Sequence, residues 1–156
     1  MPVLKNGDDK TMINNILVPY DFTDFADLSL DKAMEIAKKF DSKLTLLTVI
    51  GSDVDTSGMS WSRAQEVHDE LEVKTKEDLN KIKKIHSADN VVISVDVVHN
   101  PSAVNGILLF AEQNNMDLIV MGSHGRSGFK KLVLGSVASG VVTKAKCPVL
   151  IVKSSS

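Results

Sequence analysis

The sequence predicts an α/β fold: a mainly parallel sheet covered by helices on both faces. Two observations predict it. Short apolar runs recur five times along the chain, and the stretches between them carry apolar residues at helical spacing. Strand–helix alternation of this kind implies right-handed βαβ crossovers, which place helices on both sides of a parallel sheet.

Each element can be justified in order. NILVPYD, residues 15–21, is a short apolar run ending at a proline, as a buried strand does. Ala26, Leu30, Ala33, Ala37 and Phe40 then recur at helical spacing. KLTLLTV, residues 43–49, is a second strand, and GSDVDTSGMS a polar loop. The long helix that follows sets Ala64, Val67, Leu71, Leu79, Ile82 and Ile85 on one face, with charges opposite. His68 and His86 fall on its polar side and are expected in solvent. VVISVDVV, residues 91–98, is a β-branched third strand. Val104, Ile107, Leu108 and Ala111 mark a third helix, and DLIVMG, from Asp117, a fourth strand. Val137, Val141 and Ala145 mark the last helix, and PVLIVK, from Pro148, a fifth strand. Cys147, at the entry to that strand, reads as a small buried hydrophobe.

Composition narrows the function classes. A chain of 156 residues reads as one domain, placed at 13–153 between loose tails at 1–12 and 154–156. A domain of this size buries roughly 70% of its unfolded surface. The formal charge of −2 gives no reason to expect nucleic acid or an anionic membrane as partner. One cysteine excludes an internal disulfide framework and fits a reducing compartment. No apolar run approaches the ~20 residues of a membrane span, and no signal peptide is visible, so a cytoplasmic protein is expected.

In open parallel sheets, ligands collect outside the carboxyl ends of the strands, where strand order reverses. The sequence offers Asp21 there after the first strand, Val49–Ser52 after the second, His99–Pro101 after the third, and GSHGRSGFKKLVLGS, residues 122–136, after the fourth. Gly122, Gly125 and Gly128 are expected to permit positive φ and to let backbone N–H groups approach a ligand. Gly135 and Ser136 stand where a helix starts, and the unpaired N–H groups of a first turn suit phosphate. Ser136 would cap that end or donate its hydroxyl to a phosphate oxygen. The other reading is a surface loop that merely turns. The stretch is not a P-loop, which needs G-x-x-x-x-G-K-[ST], and it lacks the spacing of the G-x-G-x-x-G dinucleotide turn. GRSG, residues 125–128, matches a KH G-x-x-G loop, but a strand precedes it and the chain is not basic.

Gly122, two residues, Gly125, nine residues, then Gly135-Ser136 is similar to the G-2x-G-9x-G-[ST] signature of ATP-binding universal stress proteins. The likeness extends to ILVPYDFTDFADLSLDKAMEIAKKF near the start, a strand ending LLTVI, and VMGSHGRSGFKKLVLGSVASGVVTKAKCPVLIVK at the end. It implies a Rossmann-like sheet of the adenine nucleotide alpha hydrolase-like type, in strand order 3-2-1-4-5. It further implies that Pro19 and Asp21 lie at the adenosine side of a nucleotide site, with the backbone around Val49 against adenine. Gly122, Gly125, Gly135 and Ser136 match the ribose and phosphate contacts, with Met121 and Val137 beside them. ATP, with Mg²⁺ carried on its phosphates, is the implied ligand, and a homodimer across the last strand the implied assembly. One departure is His99-Asn100-Pro101, where many members carry G-x-P. It bears on the loop over the adenine side.

Other residues leave alternatives open. Asp21 would contact ligand or cap the following helix. His124 would approach phosphate or point into water. Arg126, Lys130 and Lys131 would supply positive potential for phosphates or serve solubility alone. DVDTSG, residues 53–58, resembles the start of an EF-hand loop, but Ala64 stands where the bidentate glutamate belongs. Binding elements are present without a convincing catalytic base beside a γ-phosphate. A nucleotide-binding regulator is therefore the first reading. The alternatives are a slow ATPase or autophosphorylating switch, with Ser123, Ser127 or Ser136 as acceptor, and an interaction protein holding another small effector.

Overall fold

The computed structural model describes residues 12–125 and 133–154. Strands and helices alternate: β1 (Asn15–Pro19), α1 (Asp24–Phe40), β2 (Lys43–Ile50), α2 (Trp61–Ile85), β3 (Ile93–His99), α3 (Ala103–Gln113), β4 (Leu118–Gly122), α4 (Ser136–Lys144) and β5 (Val149–Val152). A single 3-10 turn, Ser87–Asp89, leads from α2 towards β3. The strands form one parallel sheet in the order β3-β2-β1-β4-β5. Among the described residues, no helix is long and apolar enough to cross a membrane.

Side-chain alternation along the strands builds two cores. Ile16, Val18, Leu44, Leu46, Leu118 and Val120 point to the face covered by Leu30, Ala33 and Ala37 of α1 and Leu79 of α2. Leu17, Leu47, Ile119 and Met121 point to the other face, under Ile107 and Phe110 of α3 and Ala138 and Val141 of α4. Both faces of β1 are buried, which is why its sequence is a continuous apolar run. Each large side chain taken fully out of water contributes about 1.5–3 kcal/mol.

Local signals start and stop α1. Thr23 caps its first turn, the hydroxyl accepting from the Ala26 N–H at 3.3 Å. Asp24 and Asp27 lie in the first turn and Lys38 and Lys39 in the last, each sign matched to the helix dipole. Asp41 ends it in the left-handed region at φ 56°. Asp117 ties the sheet together at its amino end, its Oδ2 accepting from the N–H groups of Asn14 and Asn15 at 3.0 and 2.9 Å.

Two expectations for α2 need correction. Ile85 is 73% exposed, because it lies in the last turn, beyond the reach of the sheet. His68 and His86 are both partly buried rather than solvated. The His68 ring meets that of His99 edge-on at 5.8 Å, and its Nδ1 is buried without a hydrogen-bond partner among the described residues. Cys147 is only half-buried, and that burial pushes its thiol above the ordinary value, away from thiolate reactivity.

Candidate functional site

A cavity of about 500 Å³ lies across the carboxyl ends of β1, β2 and β4, within the size range of small-ligand sites. Pro19, Asp21, Val49, Met121, Gly122, Gly125, Gly135, Ser136 and Val137 all line it. The fold thus brings together every described residue that the sequence assigned to the nucleotide site. Arg126 lies outside the described residues, as do Ser127, Gly128, Lys130 and Lys131. The cavity has further walls that the motif did not mark: Tyr20 and Thr48, the Gly51–Asp53 segment, Pro101 and His124. Their signal in the sequence is position alone, since each follows or ends a strand.

The β1 end sets the acidic wall. Phe22 takes the left-handed conformation at φ 63°, costly for a bulky residue and worth about 1–3 kcal/mol of local strain. That bend separates two jobs. Thr23 caps α1, while Asp21 keeps a carboxylate at the cavity. Asp21 is therefore not the helix cap; its Oδ1 accepts from the Thr23 N–H at 3.2 Å and from the Thr23 hydroxyl. Its Oδ2 faces the glycine turn, 3.0 Å from where a Cβ on Gly125 would stand. Behind it, Tyr20 is buried and donates its hydroxyl to Asp27 Oδ1. Burial first, then that bond and the nearby carboxylates, hold the phenol well above its ordinary range. Thr48 donates to the Tyr20 carbonyl at 2.7 Å and joins β2 to this wall.

The β4 end sets the opposite wall, where the glycines work by space rather than by φ. Among the described residues, Gly58 is the glycine with positive φ, so Gly122 and Gly125 do not use the freedom expected of them. A Cβ on Gly122 would stand 2.7 Å from Phe25 Cβ and 3.1 Å from its carbonyl oxygen, so a side chain there would push α1 off β4. Gly135 is the N-cap of α4 at φ −58°, and no side chain caps that helix. Ser136 is thus its first helical residue rather than its cap. Gly135 donates its N–H to the Ser123 carbonyl at 2.8 Å, which seats the start of α4 against the turn after β4. The first turn of α4 thus borders the cavity without a side-chain cap among the described residues.

The His99 departure leads away from the cavity. His99 Nε2 lies 2.9 Å from Glu72 Oε2 on α2, and Pro101 is the residue of that tripeptide that reaches the lining. Asn100 donates its N–H to the Ile50 carbonyl at 3.0 Å and holds the β3 end to β2.

Comparison with known proteins bears on this site. Residues 12–153 match the model of the Universal stress protein family. Universal stress protein MJ0531 of Methanocaldococcus jannaschii is 34% identical over 155 residues, covering 97% of this chain and 87% of that protein. The solved structure of MJ0577 from the same organism superposes with a TM-score of 0.82 at 29% identity, over 93% of this chain and 99% of that one. Two more distant structures share the fold. A universal stress protein solved with cAMP has a TM-score of 0.67 at 21% identity, over 91% of this chain and 98% of its own. One from Archaeoglobus fulgidus solved with dAMP has 0.63 at 23%, over 90% and 98%.

Proposed function

The chain belongs to the universal stress protein family, and on that premise we propose that it is a regulatory protein whose shape or assembly responds to a bound adenine nucleotide, ATP in the first place. The observation that carries this is the pairing of two features on one cavity: the α4 start without a side-chain cap, and the Asp21 carboxylate facing Gly125, its Oδ2 3.0 Å from where a Cβ there would stand. The donor set fits the ligand. Backbone N–H groups of Gly125, Ser136 and Val137 suit phosphate oxygens beside Gly135, and a carboxylate suits ribose hydroxyls. In this reading Gly122 and Met121 floor the ribose, Pro19 flanks the nucleoside, and the Val49 backbone meets adenine at the β2 end. Relatives solved with cAMP and dAMP support an adenine nucleotide as the class of ligand.

Mg²⁺ would arrive on the phosphates. Among the described residues, no group of three or more His, Cys, Asp or Glu side chains is arranged to hold a cation by itself. The proposed assembly is a homodimer across β5, the edge strand of the sheet. The proposed compartment is the cytoplasm, where the one cysteine stays a thiol.

The test is direct. Purified protein is denatured and any released nucleotide identified by mass, then thermal shifts are recorded with ATP, ADP and AMP. Ligand at 100 times its dissociation constant adds about 2.7 kcal/mol to stability. Gly125→Val should remove that gain by driving a side chain into Asp21. No shift with any of the three nucleotides, together with no co-purified nucleotide, would end this reading.

A further inference from the structure

We propose that His124, held by Ser123 beside the start of α4, is a side-chain phosphate donor, and that this contact sets the preference for nucleotides over nucleosides. The inference rests on the nucleotide reading above and adds to it a residue outside the glycine signature.

The lining makes the need plain. Among the described residues lining the cavity, Asp21 and Asp53 are acids, and no Lys or Arg is present. His124 is the one described lining residue whose side chain offers a nitrogen donor to a phosphate.

Ser123 engages one ring nitrogen and leaves the other free. Ser123 is 5% exposed, and its Oγ lies 3.0 Å from His124 Nδ1. In the proposed tautomer the Ser123 hydroxyl donates to Nδ1 and the ring proton resides on Nε2. Phe25 holds the ring from the side, with centroids 5.5 Å apart and planes tilted by 47°. Cδ2, the carbon bonded to Nε2, lies 3.8 Å from where a Cβ on Gly135 would stand. The ring therefore stands beside the N-cap of α4. The same missing Cβ would fall 3.0 Å from the Ser123 carbonyl oxygen, so Gly135 lets helix and ring close on one small volume. Nε2–H joins the first-turn amides around a single anion.

Calorimetric titration of ATP, AMP and adenosine into wild type, His124→Ala, His124→Gln and Ser123→Ala tests this. His124→Ala should weaken ATP binding about tenfold or more, the scale of a hydrogen bond to a charged group, and leave adenosine within about twofold. His124→Gln keeps an N–H near the Nε2 position and should recover part of the ATP affinity. Ser123→Ala frees the ring and should weaken ATP by a smaller factor, again sparing adenosine. Equal losses for ATP and adenosine, or no loss for ATP, would overturn the proposal while the nucleotide reading stands. A wild type that binds adenosine and ATP equally well would overturn it too. A wild type that binds none of the three would remove both, and the two failures are thereby told apart.

Discussion

Tyr20 is the single tyrosine of the chain, and its position makes alkaline stability readable from one chromophore. The folded phenol is held above its ordinary value of about 10 by burial and by the bond to Asp27. The folded state therefore keeps a proton that the unfolded state releases. Stability from this group is fully present below about pH 10 and is lost as pH rises through the folded value. Urea unfolding of the wild type should be insensitive to this group between about pH 7 and 9 and fall above 10. Tyr20→Phe should cost about 0.5–1.5 kcal/mol at pH 7 and flatten the decline above 10. Tyrosinate absorbance should appear together with unfolding; its appearance in still-folded protein would refute the assignment. One residue pair further on, Thr23→Ala removes the α1 cap and should cost about 1 kcal/mol by the same measurement, with Thr23→Ser close to wild type. Asp21 keeps the Thr23 N–H in the alanine variant, so nucleotide affinity should change less than stability.

At the scale of elements, the placement of α4 depends on its contact with α3. A Cβ on Gly140 would stand 3.1 Å from Val104 Cγ1 and 2.8 Å from Cγ2, the latter inside any real packing distance. Gly140→Ala must therefore push the two helices apart, at about 1–3 kcal/mol, and move the α4 start that borders the cavity. Both urea stability and ATP affinity should fall. Val104→Ala in the same chain removes the obstacle, and the double variant should recover part of both, a coupling that only neighbours show. Additive losses would mean that Gly140 matters for another reason. Neither contact was legible in the sequence, where Gly140 reads only as a weak spot in a helix. Helical and strand periods located the five strands and four α-helices of the described residues, because a parallel sheet buries both faces and writes long apolar runs. Strand ends pointed to the cavity for the same topological reason, and glycine spacing marked its β4 wall. Space and partners stayed hidden. Gly122 is glycine because Phe25 crosses it, Thr23 rather than Asp21 caps α1, and His68 is drawn inward by His99. Such pairings join residues whose meeting depends on packing, which no local pattern encodes.

At the scale of the whole molecule, β5 links the proposed dimer to the proposed ligand. It is an edge strand of four residues, hydrogen-bonded on one side to β4, and such edges tend to pair or be protected. Leu150 is 36% exposed on it, and Val142 of α4 is 46% exposed. The same strand props the candidate site: Val152 pairs with Gly122, and the Ser123 N–H donates to the Val152 carbonyl at 3.0 Å. A partner strand that fixes β5 therefore also fixes the residue that orients His124. Leu150→Asp places an unpaired charge on that edge and should convert the dimer to a monomer by light scattering behind size exclusion. The monomer should still melt cooperatively, because Leu150 contributes nothing to either buried core. Its ATP affinity should fall several-fold, and in the wild type saturating ATP should tighten dimerisation by the square of that factor, as linkage requires when each dimer carries two sites. An unchanged mass for Leu150→Asp would place the interface elsewhere. A monomer with undiminished ATP affinity would show that the edge strand and the glycine turn are structurally joined but energetically independent.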